Sequence, residues 1–163
     1  MARGGGEILN MELLTALVGA IIGAVCSFAL SEYVKRRDER IRLLAALRTE
    51  VRLNLEVAQE ILRINSDINF DAKGESQWEW CEVVPFSESA WNAVTTTGAL
   101  SHFDQKLIEA LSQAFAMVKR SNFAAEKIKA GKYNPREGKQ YTLSVRKAKE
   151  ELEPIMKLLD NAH

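Results

Sequence analysis

From Leu13 to Leu30 the chain reads LLTALVGAIIGAVCSFAL, a stretch without a single charge, bounded by Glu12 and Glu32. An α-helix of that length rises about 1.5 Å per residue and spans roughly 27 Å, close to the hydrocarbon thickness of a bilayer. A helix buried in a protein core would show a polar face, whereas here only Thr15, Ser27 and glycines interrupt the apolar surface. The run therefore reads as a membrane span. A cleaved signal peptide fits less well. Its leader should be basic, yet residues 1–12 carry only Arg3 against Glu7 and Glu12. The mean hydropathy of the whole chain, -0.17, hides this segment because 27% of the residues are charged.

The flanks orient the span. Lys35, Arg36, Arg37, Arg40 and Arg42 follow it closely, and Arg3 stands alone before it. An excess of Lys and Arg marks the cytoplasmic side, so the expected localisation is the cell membrane, single-pass, with the C-terminal domain cytoplasmic. The same basic cluster is placed to meet anionic lipid headgroups. Cys26 in the span and Cys81 beyond it suit a reducing compartment and form neither a disulfide framework nor a zinc site.

Helix signals dominate the remainder, and the expected fold class is all-α: a single N-terminal transmembrane helix continuing into a cytoplasmic helical bundle of about four helices. The organisation reads as a leader over 1–12, the transmembrane helix over 13–34, and a long juxtamembrane helix over 35–65. An irregular Trp-containing loop over 66–86 and the remaining helices over 87–163 complete it. In the juxtamembrane helix Ile41, Leu44, Leu47, Val51, Leu55, Ala58 and Leu62 recur at three- and four-residue steps, which predicts one buried stripe. Asn54, with Glu50 one turn before it, falls close to that stripe and reads as a boundary residue with its amide in water.

Gly74 and Pro85 punctuate the loop that carries Trp78, Trp80 and Cys81. Ser87 then offers a cap and Phe86 with Trp91 a hydrophobic staple for a short helix, which Thr95, Thr96, Thr97 and Gly98 should end. Ser101 with Asp104 opens the next helix, lined by Phe103, Leu107, Leu111, Phe115 and Val118. The final helix is expected from about Lys139. Its Tyr141, Val145, Ala148, Leu152, Ile155 and Leu159 follow steps of 4, 3, 4, 3 and 4, a heptad seam suited to docking on a bundle. Pro154 should kink or restart it near its end.

Inside the apolar run Thr15, Gly19, Gly23 and Ser27 are spaced by four and form a small-residue ridge on one helix face. Helices in lipid gain little from apolar contact, and close backbone approach over small residues is what lets them associate. This ridge is the candidate helix–helix interface, with a second copy or another membrane protein as partner. Charge is uneven beyond it: residues 119–149 hold ten Lys/Arg against Glu126 and Glu137, while residues 50–118 are acidic. Complementary faces of neighbouring helices account for this most simply, contact with anionic lipid next, and nucleic acid last, because no recognition motif is present.

Catalysis finds no motif. His102 at a helix start and His163 at the terminus belong to no HExxH, Cys–His or triad pattern, and no phosphate-binding glycine loop occurs. His102 reads as an exposed first-turn residue. No cofactor is implied. The function expected is that of a membrane-anchored interaction or scaffold protein, self-associating and not an enzyme. The alternative is an accessory or regulatory subunit of a larger channel, transporter or enzyme complex.

Overall fold

A computed structural model describes the backbone of residues 5–67, 83–130 and 135–161, and side chains within 20–66, 83–130 and 136–161. These residues contain four α-helices and no strand: α1 Gly5–Ile64, α2 Ser89–Thr96, α3 Gln105–Lys129 and α4 Pro135–Asn161. Short 3-10 helices cover Asn65–Asp67 and Ala99–His102. The chain forms two compact units, Met1–Glu39 and Arg40–His163. Among the described residues no helix is long and apolar enough to cross a membrane. The side chains of Leu13–Gly19, which open the apolar run, lie outside those residues, as do Trp78, Trp80 and Cys81.

The Arg40–His163 unit is built on one apolar core. Leu107, Leu111, Ala114, Phe115 and Val118 of α3 and Tyr141, Val145, Ala148, Leu152, Ile155 and Leu159 of α4 are buried in it. Each set keeps the three- and four-residue spacing that puts side chains on one helix face. Trp91 stacks on Phe115, with ring centroids 5.2 Å apart and planes 9° from parallel.

Helix α1 contributes a face that shares Leu47, Val51 and Ala58 with the expected stripe but is rotated to take in polar residues as well. Leu47, Val51, Ala58 and Ile61 are buried, but so are Glu50 and Asn54, the latter only 1% exposed. Ile41 is 54% exposed, and Leu44, Leu55 and Leu62 are half-buried at the edge of the core. Asn54 is thus a core residue and not a boundary one. It stays there because both ends of its amide are bonded: Nδ2 donates to the Ser87 carbonyl at 2.9 Å and Oδ1 accepts from the Ser87 amide at 2.8 Å.

Helix ends are satisfied partly by neighbours. The N-cap of α2 is Glu88, with no side-chain cap of its own. The Glu50 carboxylate of α1 does that work instead, accepting from the backbone N–H groups of Ala90 and Trp91, each at 3.0 Å, and from the Ser87 hydroxyl at 2.6 Å. Three donors and a helix N-terminus hold the buried carboxylate in place. Ser87 therefore is not the cap; it donates to it. At the other pole, α4 has no basic residue in its last turn. Arg48 of α1 supplies one, donating Nη2 to the Leu159 carbonyl at 2.7 Å and pairing with Asp160 at 3.0 Å.

Other boundaries differ from the sequence reading for local reasons. Ser101 lies in the 3-10 helix, and α3 is capped by Asp104, whose Oδ1 accepts from the Leu107 amide at 2.9 Å. Thr95, Thr96 and Thr97 return their hydroxyls to carbonyls one turn back, and Gly98 then takes a left-handed φ of 73° that ends the run. Helix α4 begins at Pro135 rather than Lys139, since proline at the first helical position sacrifices an amide that has no partner there anyway. Pro154 does not end α4, which continues to Asn161. The carbonyl left without a donor is that of Glu150, on an exposed residue where water can reach it.

Candidate functional site

Two features of α1 carry the residues the sequence singles out. Every described residue from Ala20 to Ser31 is exposed. Ile21, Val25 and Phe28 share one side of the helix, being four and three residues apart, while Ile22 and Leu30 lie on others, and Phe28 reaches 75% exposure. Of the small-residue ridge, Thr15 and Gly19 fall among the residues whose side chains are not described. Ser27 is exposed, and a Cβ added at Gly23 would meet nothing within 4 Å. The ridge is uncovered over its described half. Cys26 is a free, exposed thiol.

The basic cluster follows on the same helix. Lys35, Arg36, Arg37 and Arg42 are exposed and Arg40 is half-buried. Arg36 donates Nε to Glu32 at 3.1 Å, an exposed pair one turn apart that contributes little to stability. The apolar stretch and the cations are therefore both available on α1, with one carboxylate, Glu32, at the junction.

In the second unit the non-helical segment 83–88 is held by polar side chains from three helices. Tyr141 of α4 accepts from the Val84 amide at 3.2 Å and donates to the Val84 carbonyl at 3.0 Å. Asn122 of α3 accepts from the Phe86 amide at 2.7 Å and donates to its carbonyl at 3.0 Å. Asn54 of α1 does the same at Ser87. Each helix thus supplies one group that is donor and acceptor at once, which is what a buried backbone outside regular structure requires. Sequence reasoning missed this clasp. Its only trace was Asn54 and Glu50 at core spacing, and their partners lie more than thirty residues further on.

His102 is half-buried at the end of the 3-10 helix, ahead of the capping Asp104, so it is not the exposed first-turn residue expected. Among the described residues no cluster of His, Cys, Asp or Glu has the number of ligands a metal ion needs. Glu60 is held below its ordinary value by its hydrogen bond to Arg63, at 2.6 Å, on the exposed face of α1.

No family model matches the chain, and neither a curated protein nor a solved structure matches it.

Proposed function

We propose that this chain is a single-pass, membrane-anchored interaction protein that acts by binding and not by catalysis. Leu13–Leu30 sits in the bilayer, Lys35, Arg36, Arg37, Arg40 and Arg42 meet the cytoplasmic headgroups, and the Arg40–His163 unit works on the cytoplasmic side. The observation that carries this reading is the uncovered apolar surface between Ala20 and Ser31, apolar around the helix and not on one stripe. Apolar area left in water costs about 25 cal/mol for each Å². A helix apolar on all sides needs a cover on all sides, which lipid supplies and a partner docked on one face does not. The cations that follow at once match the charge of an anionic leaflet.

The test is extraction and topology together. Membranes from cells expressing the full chain are washed with alkaline carbonate, and a reporter active only in the cytoplasm is fused after His163. Retention in the pellet with an active reporter is expected. Release of the chain by alkali would overturn the anchor, and an inactive reporter would reverse the orientation.

A further inference from the structure

Between α3 and α4 lies a groove of about 380 Å³. Met117 and Phe123 from α3 and Leu143 from α4 form its apolar lining, and Arg120, Lys127 and Lys147 stand along it. Arg120, Phe123 and Lys127 share one face of α3, being three and four residues apart, as do Leu143 and Lys147 on α4. Phe123 is 59% exposed and Leu143 46%, so large apolar groups of these helices meet water outside the buried core. The Lys127 ammonium sits 4.7 Å from the centre of the Phe123 ring, a cation–π contact that leaves its charge uncompensated. Among the described residues none of the three cations has a carboxylate within ion-pairing distance. Glu137 is the single acid along the groove, so positive charge is in excess there.

We propose that this groove binds a single-chain anionic amphiphile. Its hydrocarbon chain lies along Met117, Phe123 and Leu143, and its acidic head is held by Arg120, Lys127 and Lys147. The volume falls in the range of small-molecule sites, about 300–1,000 Å³. A partner helix would need a longer row of apolar anchors and roughly 800 Å² on each side, which two exposed residues do not offer. Charge complementarity chooses the head: an acid gains ion pairs with cations that have no carboxylate of their own, whereas a neutral head gains none.

The experiment uses the full chain in nanodiscs of zwitterionic lipid and a dodecanoic acid bearing a diazirine in its chain, with the photoadducts mapped by peptide mass spectrometry. Adducts are expected on the segments 117–127 and 143–147, suppressed by excess dodecanoate and not by dodecanol. Lys127→Gln with Lys147→Gln should weaken labelling about tenfold, the effect of losing roughly 1.4 kcal/mol of binding. Lys129→Gln, on α3 but outside the groove, should leave it unchanged. Both substituted lysines are exposed, and an unchanged circular-dichroism melt verifies the fold. Undiminished labelling of the double variant, equal competition by dodecanol, or adducts confined to residues 13–34 would each overturn the proposal.

Discussion

Asn122 holds both backbone groups of Phe86, accepting the amide proton at Oδ1 and donating from Nδ2 to the carbonyl. The same Nδ2 also reaches Glu88 Oε1 at 2.7 Å. One side chain on α3 thereby fixes the residue that enters the core ahead of α2, since Phe86 is buried while Pro85 and Ser87 on either side are exposed. Asn54 and Tyr141 repeat the arrangement from α1 and α4, so three helices are tied to one non-helical segment.

Replacing Asn122 with Ala leaves the Phe86 amide and carbonyl without partners. Each unsatisfied buried group costs about 1–3 kcal/mol, and some is recovered by water at this partly buried site, so a loss of about 3 kcal/mol is expected. Urea unfolding measures it. Asn122→Asp keeps the acceptor but sets a carboxylate against Glu88. Its folded pKa is then raised, so stability should be low at neutral pH and recover in part as the solution is acidified. A variant whose midpoint stays at the wild-type value at both pH values would show that the clasp is dispensable.

Glu50→Ala removes the cap of α2 and should cost about 2–4 kcal/mol, because the Ala90 and Trp91 amides and the Ser87 hydroxyl lose their common acceptor. Glu50→Gln retains one acceptor oxygen and should cost less. Hydrogen exchange reads the effect locally. The Ala90 and Trp91 amides should exchange at least about tenfold faster in the Ala variant, the factor for each 1.4 kcal/mol of opening.

Leu152→Asp places a charge where the wild-type side chain has no exposure, among the apolar residues that join α4 to the core. An unpaired buried carboxylate costs more than about 4 kcal/mol, enough to unfold a domain of ordinary stability. Loss of the cooperative melt is expected for the Arg40–His163 unit. A melting temperature within a degree or two of wild type would remove α4 from the core.

The seam of α4 was legible because every position in it is apolar or a tyrosine, and all six residues named from spacing are buried. Tyr141 belongs there because its hydroxyl has a backbone partner, which spacing alone does not reveal. The stripe of α1 is legible only in part, for the opposite reason. Glu50 and Asn54 occupy core positions, and reading apolar residues alone turned the face toward Ile41 and Leu44 and passed over Ile61. Polar side chains enter a core only when distant partners wait for them, and a periodicity over one helix holds no information about a segment more than thirty residues away. In the candidate site, composition marked the exposed apolar run and the basic cluster. What covers the run is a property of its surroundings and not of its sequence.

The small-residue ridge permits one decisive substitution. A Cβ at Gly23 meets no atom of this chain within 4 Å, so Gly23→Ile creates no clash within the protein. Its cost inside the helix is small, since β-branched residues lie above glycine in helix propensity. Any change in association must then come from contact with another helix, where a branched side chain holds two backbones apart. Crosslinking in membranes should show the oligomer band weakened by Gly23→Ile and lost with Gly19→Ile added. Insertion should survive, because both changes make the run more apolar. Ile21→Leu with Val25→Leu alters two exposed residues off the ridge and should leave the band intact. Equal bands in all three variants would exclude Thr15, Gly19, Gly23 and Ser27 as the contact line. A band toward a protein of different mass, lost in the glycine variants alone, would assign the same ridge to a heterologous membrane partner and make this chain a subunit of that complex.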